Sequence, residues 1–257
     1  MTLPLAGLGV LVTRPAHQAS EFILQLQMAG AETFALPAME IQPLSLNAST
    51  QQRLQKTDYQ LVIFISANAV LYGLPVLQHL IQKPATKIAA IGGQTAHTLQ
   101  AYGLAVDLRA HAGQTSEDLL ALPALQKNVI AGTSVLIVRG QGGREVLSLT
   151  LQSRGALVDY AEVYTRNRPQ SDTQWLANLW QQQRIHIVCV TSNAVLENLY
   201  HMLQHYNDPL LNTVLLVPGE RCKQLAQTLR FKKIIQATSA CDNDMLQRIH
   251  QWHQTGT

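Results

Sequence analysis

Charged side chains are scarce in this chain of 257 residues, since Asp, Glu, Lys and Arg make up 14% of it against the usual ~25%. The formal net charge is only +3, and no stripe of basic residues interleaved with aromatics is present. We therefore expect no nucleic-acid partner. Apolar runs are too short to span a bilayer, which takes ~18 residues, so we also expect no membrane partner.

Cysteine is rare as well. Cys189, Cys222 and Cys241 include no C-x-x-C pair and leave an odd number, which is typical of reduced thiols and not of a disulfide or zinc framework. Residues 1–9 lack the basic segment, apolar stretch and cleavage site of a secretory signal. We therefore expect a cytoplasmic protein without a metal site.

Several catalytic signatures are missing, namely the P-loop, the G-x-S-x-G elbow and the H-E-x-x-H helix. A glycine-rich turn at residues 139–144 follows a strand pattern but lacks the complete G-x-G-x-x-G of a dinucleotide site. Its glycines still let backbone N–H groups approach an anion at a helix N-terminus. A tight turn with no ligand explains the same residues, so both interpretations stay open.

What the chain does contain is an internal repeat. Residues 10–14 (VLVTR) return at 135–139 (VLIVR), and residues 66–70 (SANAV) return at 191–195 (TSNAV), each 125 positions later. A period of this length leaves room for two copies. We predict a duplicated α/β unit, with two similar domains that face each other across a ligand-binding cleft.

Short apolar runs predict parallel strands that are buried on both faces, at residues 9–13, 61–66, 87–91, 134–138, 185–191 and 213–217. A turn and a helical pattern follow each run, which predicts parallel sheets with right-handed crossovers. Extended segments ending in proline, at 36–43 and 161–169, look like connectors. These patterns leave open whether the chain crosses twice between domains or divides in tandem near residue 130.

Polar turns follow strands in both repeats. Ser66 and Asn68 stand in the first, Thr191 and Ser192 in the second, and residues 92–95 (GGQT) form a third such turn. Helix capping alone explains one of them well. Matched polar turns at the carboxyl ends of parallel strands favour a shared ligand site.

Tyr164 lies in the second extended segment, where alternation predicts that it shares a face with Glu162. A phenol that faces a cleft can donate a proton or a hydrogen bond. A packing tyrosine in a two-stranded linker is the competing interpretation.

These segments together resemble the uroporphyrinogen-III synthase family, the cyclising enzymes of haem and related tetrapyrrole biosynthesis. The resemblance covers essentially the whole chain, and the order and spacing of short motifs make it specific. The motifs are VTRP at 12–15, FISANAV at 64–70, AIGGQTA at 90–96, VRGQGGRE at 138–145, VYTR at 163–166, VTSN at 190–193, GER at 219–221 and DND at 242–244.

The resemblance implies an α/β fold of two flavodoxin-like parallel-sheet domains joined by a two-stranded β connector. It assigns residues 1–35 and 170–257 to the first domain and residues 43–161 to the second, with connectors at 36–42 and 162–169. The N-terminal strand and helix then belong with the C-terminal half.

The implied reaction is the cyclisation of hydroxymethylbilane to uroporphyrinogen III, with inversion of the terminal ring and loss of water. The resemblance implies no metal and no organic cofactor. We expect a monomer, with hydroxymethylbilane synthase as a candidate transient partner. The alternative from another class is a two-domain binding protein that closes on a small anionic ligand without catalysis.

The family's functional tyrosine corresponds to Tyr164, which is the predicted proton donor to the leaving hydroxyl. A family threonine corresponds to Thr95, whereas its counterpart in the second half is Arg221, which is suited to pairing with a substrate carboxylate. The full set of predicted substrate-binding residues is Thr13, Arg14, Ser66, Asn68, Gly93, Thr95, Arg139, Gly140, Gly143, Thr191, Ser192 and Arg221.

Overall fold

A computed structural model describes residues 3–110 and 115–256. The strands, in chain order, are β1 (Gly9–Val12), β2 (Glu32–Ala35), β3 (Glu40–Pro43), β4 (Leu61–Phe64), β5 (Lys87–Ala90), β6 (Leu108–Arg109), β7 (Ser134–Gly140), β8 (Leu157–Asn167), β9 (Ile187–Cys189), β10 (Val214–Val217) and β11 (Ile234–Gln236).

The α-helices alternate with these strands. In chain order they are α1 (Ala16–Met28), α2 (Ala48–Lys56), α3 (Ala67–Ile81), α4 (Gly93–Ala101), α5 (Ser116–Leu120), α6 (Lys127–Ile130), α7 (Val146–Ser153), α8 (Trp175–Gln181), α9 (Asn193–Met202), α10 (Asn207–Asn212), α11 (Glu220–Thr228) and α12 (Asp242–Thr255). Within the described ranges, none is both long and apolar enough to cross a membrane.

The chain forms two compact units. Unit 1 consists of Met1–Glu40 and Asn167–Thr257, and unit 2 of Ile41–Arg166. The sheet of unit 1 has the order β2–β1–β9–β10–β11. All of its strand pairs are parallel. β1 therefore lies beside strands from the C-terminal half of the chain, which excludes a simple tandem division.

Unit 2 repeats this arrangement with different segments of the chain. Its sheet has the order β3–β8–β7–β4–β5–β6, in which the strands from β8 to β6 pair in parallel. β7 and β8 are the repeat counterparts of β1 and β2. In both sheets the order of strands reverses beside the central strand, at β1/β9 in unit 1 and at β7/β4 in unit 2.

The six predicted strands are all present, and the predicted α/β class with parallel sheets is confirmed. Strands β1, β4 and β10 are buried along their whole length, as continuous apolar runs require. The predicted connector at 162–169 does not start as a separate segment, because β8 continues as one strand from Leu157 to Asn167. Glu162 and Tyr164, at the start of that connector, still pair with β7 inside the sheet of unit 2.

The core of each unit lies between its sheet and the helices. In unit 1, Phe22 and Leu26 of α1 pack with strand residues such as Val10 and Ile187. In unit 2, Leu147 and Leu151 of α7 belong to a cluster with residues of β4 and β7. Each unit thus buries an apolar cluster of its own, and the polar residues of interest lie at strand ends.

Helix α3 packs unusually close to the sheet of unit 2. A Cβ atom at Gly73 would lie 2.7 Å from Val138 Cγ1, inside van der Waals contact, and Val138 is fully buried. The glycine is therefore required by packing, although both it and Pro75 weaken a helix in isolation.

We predict that Gly73→Ala lowers the free energy of unfolding by about 1 kcal/mol, since overpacking (about 1–3 kcal/mol) exceeds the gain in helix propensity. Urea denaturation measures this change. Val138→Ala should be less destabilising in the Gly73→Ala background than in the wild type, because it removes the clashing methyl group. A Gly73→Ala variant at least as stable as the wild type would contradict the packing.

Candidate active site

The parallel topology collects the predicted site residues of unit 1 at one edge of its sheet. Thr13 and Arg14 follow β1, and Thr191 and Ser192 follow β9 with one residue between. Arg221 is the second residue of α11, which follows β10. The β1/β9 crevice is the point where the strand order reverses, and such crevices bind ligands in open α/β sheets.

Ser192 and Arg221 line one cavity of about 440 Å³ in unit 1. Ser192 is the N-cap of α9, and its Oγ accepts a hydrogen bond of 3.3 Å from the backbone N–H of Val195. The cavity also includes the start of α11, where Glu220 places a carboxylate beside the exposed Arg221. Two positive helix ends and a guanidinium suit an anionic group.

Cys222 lines the same cavity. Burial raises the pKa of its thiol to about 11, so the thiol is neutral at pH 7. Burial likewise raises the pKa of Cys189 to about 12. Neither thiol therefore provides a thiolate nucleophile near these strand ends.

Thr13 and Arg14 have structural partners inside unit 1. Thr13 is fully buried, and its hydroxyl donates a 2.6 Å hydrogen bond to the carbonyl of Cys189. Arg14 forms an ion pair with Asp242 and donates a 3.0 Å hydrogen bond to the carbonyl of Ala240. These bonds tie the end of β1 to β9 and to the start of α12, so this geometry does not favour substrate contact for either residue.

The unit 2 residues gather at the carboxyl edge of the second sheet. Ser66 and Asn68 stand at the start of α3 after β4, whereas Gly93 and Thr95 belong to the first turn of α4 after β5. Gly93 is exposed, and open space surrounds the position of its missing Cβ. Thr95 is buried at 3% exposure, and Asn68 is partly buried.

Tyr164 is the largest of the fully buried predicted residues. Its side chain is fully buried, and its Oη lies 3.1 Å from Ser66 Oγ. Arg166 Nη2 donates a 2.7 Å hydrogen bond to the same Oη. The ring packs against Tyr72, with 6.0 Å between centroids. The phenol is thus held in a single position behind Ser66 and Arg166.

A β-bulge changes the direction of Tyr164. The register shifts between Arg139 and Gly140, so that Arg139 pairs with Glu162 but Gly140 pairs with Tyr164. One extra residue in β8 breaks the alternation. Glu162 accepts a hydrogen bond from Gly142 N–H, whereas Tyr164 contacts Ser66. The prediction that Glu162 and Tyr164 share a face is therefore wrong.

Gly140 makes room for the phenol ring. A Cβ atom at this position would lie 2.5 Å from Tyr164 Cε2 and 2.6 Å from its Cζ. A side chain there would displace the ring from its hydrogen-bond partners. Gly140 therefore supports Tyr164 by close packing.

Arg139 organises the turn after β7. It is 4% exposed, donates to the carbonyls of Gly140 and Gly142, and stacks on the Tyr160 ring at 4.9 Å. Gly143 has φ +98, and a Cβ there would lie 3.0 Å from Arg139 Nη2. Arg139 lines a cavity of about 500 Å³ in unit 2. None of the other predicted site residues lines that cavity.

Comparisons with known proteins cover nearly the entire chain. The family model described as "Uroporphyrinogen-III synthase HemD" matches residues 20–247. Uroporphyrinogen-III synthase of Escherichia coli (strain K12) is 34% identical over 249 residues, which covers 95% of this chain and 100% of that protein. This chain belongs to the uroporphyrinogen-III synthase family.

Solved structures of proteins with this name have a similar fold. A mutant uroporphyrinogen III synthase from the extremely thermophilic bacterium Thermus thermophilus has a TM-score of 0.60 and 14% identity, covering 96% of this chain and 99% of that one. The enzyme from Helicobacter pylori 26695 has a TM-score of 0.60 and 17% identity, covering 95% and 99%. At these identities the likeness concerns the fold alone.

Two residues that bond to predicted site residues, Arg166 and Asp242, are absent from the predicted set. Arg166 belongs to the VYTR motif, and its position two residues after Tyr164 on a strand is a signal that both side chains share a face. Asp242 pairs with Arg14 across 228 positions, and no local pattern indicates that ion pair.

We predict that Arg14→Ala destabilises unit 1 by about 2 kcal/mol, because it removes a buried guanidinium and leaves the partly buried Asp242 carboxylate without its partner. Thermal unfolding followed by circular dichroism measures the loss. Arg184→Ala is the matched control, since Arg184 pairs with Glu32 on the surface of the same unit. Equal melting temperatures for both variants would contradict a structural role for Arg14.

Proposed function

We propose that this protein cyclises hydroxymethylbilane to uroporphyrinogen III, with inversion of the terminal ring and loss of water. The observation that carries the proposal is the match to the family over residues 20–247, together with 34% identity to a synthase of nearly equal length. The chemistry of the strand-end residues supports it independently.

Recognition of the substrate rests on helix N-termini in this proposal. The linear tetrapyrrole carries eight carboxylates, and free backbone N–H groups at a helix start are suited to anions. The starts of α9 and α11 offer such groups with Ser192 and Arg221, and the start of α4 offers them at the exposed Gly93. Binding by amides is compatible with the low content of charged residues.

The chemical demand on the protein is modest. The pyrrole nitrogen of the substrate expels the hydroxyl group, which leaves as water once it receives a proton. The same cation closes without inversion when it is free, so the protein must fix the geometry in which the substituted carbon attacks first. Tyr164, at the strand-reversal crevice of unit 2, is the proposed source of the proton.

The proposal includes two domains, residues 1–35 with 170–257 and residues 43–161, connected by 36–42 and 162–169. The compact units divide at Glu40/Ile41 and Arg166/Asn167, inside both proposed connectors, which supports this organisation. The proposed protein is a cytoplasmic monomer. A transient encounter with hydroxymethylbilane synthase would limit spontaneous closure of the substrate.

Incubation with enzymatically generated hydroxymethylbilane tests the function. We expect the type III isomer in excess when the oxidised products are separated by chromatography. Type I alone, formed at the spontaneous rate, would contradict the activity. Type I alone accompanied by binding of the bilane would favour the non-catalytic binding protein instead.

We predict that Tyr164→Phe slows formation of uroporphyrinogen III by about 10²-fold, because the variant loses the proton of a positioned acid. The rate of type III formation under single-turnover conditions measures this. Tyr59→Phe is the control, since Tyr59 is another buried tyrosine of unit 2 with a 2.8 Å hydrogen bond, to Asp159. Undiminished turnover by Tyr164→Phe would remove its acid role.

A further inference from the structure

Three side chains of unit 2 form a continuous hydrogen-bonded chain. Arg166 Nη2 lies 2.7 Å from Tyr164 Oη, and Tyr164 Oη lies 3.1 Å from Ser66 Oγ. Ser66 Oγ also accepts a 3.1 Å hydrogen bond from the backbone N–H of Ala69. The three groups differ in exposure, because Arg166 is exposed, Ser66 is partly exposed and Tyr164 is fully buried.

The donor and acceptor properties of these groups give the chain a direction. A guanidinium can only donate, so Tyr164 Oη accepts from Arg166. A buried hydroxyl needs an acceptor for its own proton, and Ser66 Oγ is within reach. Ser66 Oγ then accepts two hydrogen bonds, from Tyr164 and from Ala69 N–H. Its own proton is left to donate away from the protein interior.

Burial decides which group meets the substrate. The Tyr164 ring is enclosed by Tyr72 and by the close approach of Gly140, so the phenol does not reach a ligand in this position. Ser66 stands in front of it, at the carboxyl end of β4 and beside the crevice between β4 and β7. A bound molecule at this edge meets the serine hydroxyl before the phenol.

We infer that Ser66 delivers the proton to the leaving hydroxyl and that Tyr164 replaces that proton, so that the acid acts through a relay. This inference rests on the proposed function and deepens it. The Ser66 Oγ–H bond breaks as a new O–H bond forms on the leaving group, and the C–O bond breaks to release water. The proton of Tyr164 moves to Ser66 Oγ at the same time.

Arg166 completes the relay as a positioning residue. The transfer leaves a phenolate on Tyr164, and the guanidinium that already donates to its oxygen stabilises that charge. The substituted carbon carries no hydrogen, so its attack releases no proton. After the resulting spiro centre opens, the unsubstituted carbon of the inverted ring forms the last ring bond and releases one proton. That proton returns to the phenolate through Ser66, so each turnover restores the starting state without a co-reactant.

Variants of Ser66 separate the relay from helix capping. Ser66→Asn keeps an N-cap of comparable quality but has no proton acidic enough to transfer, whereas Ser66→Thr keeps the hydroxyl. We expect type III formation to fall about 10²-fold in Ser66→Asn with KM nearly unchanged, and to stay within about threefold of wild type in Ser66→Thr. Thr115→Ala, which removes the N-cap of α5 in the same unit, should lower the melting temperature without changing the rate.

Two further measurements respond to a relay but not to a structural role. The double variant Ser66→Asn/Tyr164→Phe should be no slower than either single variant, because both changes interrupt one chain. In mixtures of H2O and D2O, the wild-type single-turnover rate should depend on the deuterium fraction in a curved manner, since two protons move together.

The possible failures are distinguishable. Wild-type turnover by Ser66→Asn together with a slow Tyr164→Phe would mean that the phenol donates directly, and would overturn the relay while the function stands. Additive losses in the double variant would also overturn it. Production of type I alone by the wild-type protein would instead contradict the proposed function.

Discussion

Hydrogen bonds along two parallel strand pairs, β1 with β9 and β7 with β4, decide where the polar residues of this protein collect. In each sheet the order of the parallel strands reverses beside the central strand, and this reversal opens a crevice at the carboxyl edge. Ser192 stands beside one crevice and Ser66 beside the other, each as the N-cap of the next helix. One repeated backbone pattern thus produces a polar strand end twice.

The two copies have diverged in what they add to that pattern. Unit 2 adds a β-bulge and a glycine, Gly140, which together bring Tyr164 behind Ser66. Unit 1 uses the end of its central strand for stability, because Arg14 there is bonded to Asp242 and Ala240. The proposed function accordingly places the acid chemistry in unit 2, and anion binding by Ser192 and Arg221 in unit 1.

Much of the fold follows from local sequence signals. Continuous apolar runs predict the central strands because parallel strands are covered on both faces, and the repeat predicts two similar units. Serine at the start of α3 and of α9 is predictable as a cap. The caps Ser66 and Ser192 are 126 positions apart, one more than the repeat offset, since Thr191 and not Ser192 aligns with Ser66.

Other features depend on contacts that no local pattern encodes. The bulge in β8 depends on its pairing with β7, and it reverses the expected relation between Glu162 and Tyr164. Glycine disfavours a helix, yet Gly73 stands inside α3 because Val138 lies too close for a larger side chain. Thr13 and Arg14 follow a strand, as binding residues often do, yet the Thr13 hydroxyl and both Nη atoms of Arg14 bond to residues that are distant in the sequence.

A crystal structure of the protein with bound uroporphyrin III, the oxidised product, tests the central claim most directly. We predict that the ligand lies at the carboxyl edge of the unit 2 sheet, with a polar atom ~3 Å from Ser66 Oγ and the Tyr164 ring still buried behind it. A ligand that contacts a Tyr164 ring rotated out of its pocket, or that lies away from this edge, would contradict the account.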